Sequence, residues 1–359
     1  MLSRLRRFSV SLVIACGAAL CFAHPCPAQA PAPRGLDVRL VMDEAEAVLA
    51  ILAKRKAQQP VTDADWRRVF ASEGYARLKQ RETSMKRSFE DADFKTFVLS
   101  EQLAERAPAL ADTLQRWKRA DITRAARRAL AYLPPKARLR AKIYPVIKPR
   151  ENSFVFDTST DPAIFLYLDP AVSLLKLENT LAHELHHIGY AGSCPSRETA
   201  KEIARLSPGQ QAALTWVGAF GEGFAMLAAA GGAGFHPHAV SNAADRERWD
   251  KDVANFNDDL KRVEKFLLDV LDNRLTDEEV QKTAFSFFGV QGPWYTVGWK
   301  MSVVIEETYG RARLVKCICD QRKLLETYNR AAATYNRRTR QQLALWSPSL
   351  VNRLLRDKP

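Results

Sequence analysis

Residues 171–192 read AVSLLKLENTLAHELHHIGYAG and carry three of the chain's six histidines. Leu, Ala and Ile recur there at three- and four-residue steps, the period of an amphipathic helix. At about 100° per residue, His183 and His187 fall about 40° apart on that helix, one turn from each other. Glu184 lies about 60° from His187 on the same side, and His186 points about 100° the other way. Two imidazoles one turn apart can reach one ion, and H-E-x-x-H sets a carboxylate beside it that need not bind it. His183 and His187 are therefore candidate metal ligands and Glu184 a candidate proton acceptor. His186 reads as a neighbour or a surface residue. The helix is expected to end at Gly189 and Gly192.

A His-rich helix face that holds no metal would have the same composition, so the flanking sequence matters. Upstream, AKIYPVIK (141–148), NSFVFD (152–157) and AIFLYLD (163–169) are short and rich in Ile, Val, Phe and Tyr. Pro, Asp and Asn bound them, which is the signature of strands. A strand running directly into the helix is the context the motif requires. From Leu36 to about Leu133 the pattern is helical, with a stop and a new start at Pro60-Val61-Thr62-Asp63. Helical periodicity also fills most of the chain after Ser196. The expected fold is mainly α (α+β), a helical bundle with one small sheet next to the His-rich helix. The expected regions are 1–30 as a signal peptide, 31–135 as an N-terminal helical region, and 136–359 as the region carrying the site.

Zinc at a catalytic site usually takes three protein ligands and leaves a position for water. The next informative segment is WVGAFGEGFAMLAAAGG (216–232), in which Glu222 is the only charged residue between Arg205 and the loop at His236. An ionised carboxylate in so apolar a helix is costly unless something pairs with it. Gly221 and Gly223 would let this helix approach another backbone closely. Glu222 is the candidate third ligand, against the reading of a glutamate that simply faces water. Tyr295 opens a helix after a Gly/Pro-bounded loop and could donate to a developing oxyanion, or could merely pack beside Trp294 and Trp299. His236 and His238 in FHPH could serve that oxyanion or replace Glu222, although paired histidines around Pro in a Gly-rich loop read first as a loop.

HELHH followed 35 positions later by GEGFA resembles the gluzincin class of zinc metallopeptidases. More narrowly, the chain resembles uncharacterised bacterial families of zinc-dependent peptidases, in which a late Y-x-x-G segment recurs, matched here by WYTVGWKMSVVIEETYG (294–310). The resemblance implies a zincin-like fold and one Zn2+ per chain held by His183, His187 and Glu222. It also implies Glu184 as general base and a peptide or protein substrate, with AIFLYL as an edge strand that pairs with that substrate. One departure stands out. Thermolysin-like enzymes carry an Asp four residues beyond the ligand Glu to orient a histidine, and this chain has Met226 there.

The compartment is read from the N-terminus and the cysteines. Basic residues lead into an apolar run from Phe8 to about Ala23 and a small-residue exit at Ala28-Gln29-Ala30, the layout of a secretory signal. Val13-Ile14-Ala15 before Cys16 resembles a lipobox, a second reading behind plain export to the periplasm or medium. No later run is expected to span a bilayer. Removal of the first 30 residues would leave Cys194, Cys317 and Cys319. The last two are too close for an easy bridge, so Cys194 is expected to pair with one of them. The net charge is +13. Lys and Arg are scattered among acids, as in KRKAQQPVTDADWRR (54–68), and no basic, aromatic-studded nucleic-acid module appears. Oligomeric state is left open. The expected function is an exported zinc metallopeptidase; the alternative is a non-catalytic metal-binding envelope protein, against which the intact Glu184 speaks.

Overall fold

The computed structural model describes residues 35–355, so the signal expected over residues 1–30 lies outside the described residues. Four strands, β1 (Leu36–Leu40), β2 (Leu139–Val146), β3 (Phe154–Phe156) and β4 (Ala163–Tyr167), form one sheet in the order β1-β2-β4-β3. β1 and β4 run parallel to β2, whereas β3 pairs antiparallel with β4, Phe154 opposite Phe165.

Two expectations are corrected here. Leu36–Leu40 is a strand, not helix: Leu36, Val38 and Leu40 are half-buried while Asp37 and Arg39 are exposed. That alternation has period two, and it is satisfied only by pairing with β2, a hundred residues away in sequence. The second correction concerns AIFLYL. β4 is interior, with β2 on one side and β3 on the other. Its unbroken apolar run fits a strand covered on both faces. Among the described residues, the free edges belong to β1 and β3.

Between β1 and β2 lie α1 (Asp43–Lys56), α2 (Asp63–Phe70), α3 (Glu73–Ser84), α4 (Asp91–Val98), α5 (Glu101–Trp117) and α6 (Ile122–Leu130). The break at Pro60 is real, and Thr62 starts α2 with a capping box in which its N–H donates to Asp65 at 2.8 Å. After β4 come α7 (Leu174–Ala191), α8 (Arg197–Ile203), α9 (Pro208–Val217), α10 (Gly221–Ala230), α11 (Ala243–Ala254) and α12 (Phe256–Leu271). The chain closes with α13 (Asp277–Ser286), α14 (Pro293–Tyr309), α15 (Arg311–Ile318), α16 (Gln321–Thr339) and α17 (Pro348–Leu355). The architecture is mainly helical with a small mixed sheet, as the sequence pattern leads one to expect.

The alternation along the strands divides the sheet's two faces. Ile143, Ile164 and Leu166 pack with Leu181 and Leu185 of α7, whereas Tyr144 and Phe165 stack at 5.0 Å on the other face, where Leu78 of α3 joins them. A second core, built around Phe220, Phe266, Trp294 and Trp346, holds the helices that follow α8 apart from α11. α7 is fixed by its ends and neighbours. Ser173 caps it by accepting from the Lys176 N–H at 3.2 Å. Glu178 accepts from the Asp121 N–H at 2.9 Å and from Arg124, tying α7 to the start of α6. Gly189 does not end the helix. A Cβ built there would lie 2.2 Å from Leu133 and 2.6 Å from Leu139, so this glycine lets α7 settle against the α6–β2 connection. The helix runs on to Ala191 with Gly192 as its cap.

One apolar stretch is longer than expected. Pro208–Ala230 is long and apolar enough in helix to cross a membrane by length and composition, its 18-residue window reaching a mean hydropathy of 1.3, but 61% of that window is buried inside the fold. It serves as core here. Cys194 forms a disulfide with Cys319, in keeping with the expected pairing, and Cys317 is a buried free thiol.

Candidate metal centre

The H-E-x-x-H turn lies in the middle of α7, and α10 packs beside it with α14 on its far flank. Asn179 pins α10 to α7 by donating its side-chain amide to the Ala229 carbonyl at 3.1 Å. α10 in turn meets α14 at closest backbone range, because neither Gly223 nor Gly298 has a side chain at the crossing. Gly221, expected to share that task, has nothing within 4 Å of a built Cβ.

This packing brings His183, His187 and Glu222 together. Glu222 Oε2 lies 3.2 Å from His183 Nε2 and 3.2 Å from His187 Nε2, and the two nitrogens are 3.0 Å apart. The two rings meet at 83°, each pointing a nitrogen at the shared centre. Ligand atoms about 2.0–2.2 Å from a tetrahedral zinc stand about 3.3–3.6 Å from one another, a few tenths of an ångström wider than the separations here. A triangle with edges of 3.0–3.2 Å and a donor set of two imidazoles and one carboxylate fits that ion to within this difference. No other group of His, Cys, Asp and Glu among the described residues converges in this way. The side chains of His183, Glu222 and His187 are 13%, 20% and 26% exposed, so the centre can be reached from solvent.

The electrostatics explain why the cluster calls for a cation. Burial alone would raise the Glu222 pKa, but His187 and His183 hold it well below the usual carboxylate range. Burial alone would lower His187, but the Glu222 carboxylate outweighs it and raises the imidazole to about 9. Two imidazole nitrogens and a carboxylate oxygen converging on one point form the kind of donor set that holds a divalent cation.

The other sequence candidates divide. Tyr295 sits in the first turn of α14, its ring stacked at 6.4 Å on His183. Burial and the nearby Glu222 carboxylate push its hydroxyl well above the ordinary tyrosine value, so it remains a donor. Glu184 lies close enough to His187 and Tyr295 to act on both electrostatically. His186 is corrected: it is 1% exposed and not a surface residue. Its face of α7 turns into the fold near Tyr132, and burial pushes its pKa down to about 3. His236 and His238 do not join the centre. His236 meets Asp250 at 2.9 Å, and His238 meets Ser241 at 3.0 Å and packs on Trp249. Met226 is buried apolar surface, and no hydrogen bond to Nδ1 of His183 or His187 is made among the described residues.

One residue was missed by sequence reasoning. Gly298 is the last position of the Y-x-x-G segment, and its missing Cβ is what lets α14 close on α10. Tyr295 lies one turn before it on α14, where its hydroxyl comes within hydrogen-bonding influence of the Glu222 carboxylate. The Tyr-to-Gly spacing carried that signal without showing which helix the glycine would meet.

A family model described as "Putative zinc dependent peptidase (DUF5700)" matches residues 66–337. No curated protein and no solved structure matches the chain.

Proposed function

The chain belongs to this family of zinc-dependent peptidases, and from that premise we propose that it is an exported metallopeptidase that cleaves peptide bonds at the His183–His187–Glu222 centre. The observation that carries the reading is the three-way approach of two imidazole nitrogens and one carboxylate oxygen at 3.0–3.2 Å. Zinc held there would supply Lewis acidity to a scissile carbonyl and to an attacking water. Glu184, on the same turn of α7, accepts the proton of that water and passes it to the leaving amine. Tyr295 donates a hydrogen bond to the carbonyl oxygen as negative charge develops on it. An extended substrate that added to the sheet near α7 would meet β3, whose outer edge carries no strand among the described residues. The Cys194–Cys319 disulfide supports export, since such bonds persist in oxidising compartments.

The test uses the purified protein without its first 30 residues. It should contain one zinc per chain and hydrolyse members of a peptide library, lose that activity to a chelator, and regain it on zinc addition. Glu184→Gln should keep the zinc and lose roughly 10²–10⁴-fold in rate. Hydrolysis undiminished in Glu184→Gln would remove the proposed base, and zinc binding without turnover in the native protein would favour a binding protein.

A further inference from the structure

A cavity of about 700 Å³ opens between the α6–β2 connection, α15 and α16, and none of the metal-centre residues lines it. Leu133 on its wall packs under Gly189, about 200° around α7 from His187. The cavity therefore lies behind the catalytic helix. Its size falls within the range of small-molecule sites. Leu133, Pro134, Pro135, Ala312 and Val315 make its wall apolar, beside the Cys194–Cys319 disulfide.

The mouth is cationic, and its charges are not all spoken for. Arg311 pairs with Glu306 at 2.9 Å, and Asp320, the one acid on the lining, is taken by Arg322 at 2.8 Å and Lys323 at 3.0 Å. Arg313 and Lys316 also line the cavity, and neither has a carboxylate partner among the described residues. They stand three apart on one face of α15, a like-charge spacing that weakens a helix unless an anion lies between them.

We propose that this cavity binds one free long-chain fatty acid, its alkyl tail against the apolar wall and its carboxylate between Arg313 and Lys316. A peptide fits the lining poorly, because each buried amide would need a hydrogen-bond partner. The Ser196 hydroxyl is already engaged, donating to Thr199 Oγ1 at 3.1 Å and accepting from the Thr199 N–H at 3.2 Å, and the charged side chains gather at the mouth rather than along the apolar wall of Leu133, Pro134, Pro135 and Val315. An acid head on an alkyl tail asks only for what is present.

Delipidated full-length mature protein, titrated with palmitate by calorimetry, tests this assignment. Saturation at one palmitate per chain is expected, with hexadecanol binding about tenfold or more weakly for want of the charged head. Arg313→Glu combined with Lys316→Glu, both at exposed positions, should cost palmitate a similar factor and leave the thermal midpoint unchanged. Ala312→Trp at the mouth should block binding. Absence of saturable binding, equal affinity for the alcohol, indifference to the charge reversal, or stronger occupancy by an acidic apolar peptide would each overturn the assignment.

Discussion

Gly223 of α10 and Gly298 of α14 leave no room for a side chain between them. A Cβ at Gly223 would fall 2.0 Å from the Trp299 amide nitrogen and 2.3 Å from the Gly298 carbonyl carbon, and one at Gly298 would fall 2.6 Å from the Phe220 carbonyl oxygen. The obstructing atoms are backbone, so neither helix can yield locally. Gly298→Ala should force the helices apart, destabilise the protein by about 1–3 kcal/mol, and weaken zinc binding as Glu222 withdraws. Gly221→Ala provides the contrast. Its backbone is helical with open space around it, so it should gain about 0.5–1 kcal/mol. Urea unfolding and zinc titration of the two variants check the pair, and equal effects would mean the crossing is not the constraint.

Tyr295→Phe removes one hydroxyl and keeps the ring on His183. If that hydroxyl serves the developing oxyanion, kcat should fall by about 10²-fold while zinc content and KM change little. An unchanged kcat would reduce Tyr295 to a packing residue.

Glu44, on α1, is expected to give stability a pH dependence that does not involve the candidate metal centre. It is 1% exposed and accepts from the Ile147 N–H at 3.0 Å. Burial, aided by the neighbouring Asp43, raises its pKa from 4.5 to about 8, against the pull of the Ile147 N–H and Lys148. The folded chain then binds more protons than the unfolded one between these values. The contribution is complete below pH about 4.5 and is lost as pH climbs through about 8, a decline on the order of a few kcal/mol. Lys148, lowered by burial to about 8, acts above that pH with the opposite sign. Thermal melts at pH 5 and 7.5 should show the native protein losing stability. Glu44→Gln, which keeps the acceptor, should flatten the slope; equal slopes would deny Glu44 this role.

The Cys194–Cys319 bond closes 125 residues of chain. In the chain-entropy account, a loop of that length is stabilised by about 4–5 kcal/mol when crosslinked. Reductant should lower the denaturant midpoint of the native protein and leave the Cys194→Ala/Cys319→Ala variant unmoved. A native protein indifferent to reductant would show that the bridge contributes little.

Much of the centre was legible from one segment. Helical period alone put His183 and His187 one turn apart with Glu184 between them, because the angle between neighbours on a helix is a local property. The isolation of Glu222 in an apolar run marked it in the same way, since a lone carboxylate there needs a partner. The errors fell where local signals are ambiguous. Leu36–Leu40 is too short to separate period two from a frayed helix start, and only its pairing with β2 decides. β4 and β3 have similar compositions, so which of them forms the edge depends on the order in which they hydrogen-bond. His186 looked exposed because its angle on the helix says where it points, not what stands there, and Tyr132 stands there.

By itself, then, the amino-acid order determined the turn of helix that offers two imidazoles, the strand texture before it, and the narrow choice of cysteine pairs. Tertiary structure decided that a carboxylate 35 residues beyond His187 arrives at 3.2 Å from both nitrogens. The physical reason is range. Side-chain direction within an element follows from a few backbone dihedrals, whereas the meeting of α7, α10 and α14 depends on two glycines, distant in sequence, finding each other across a packed core.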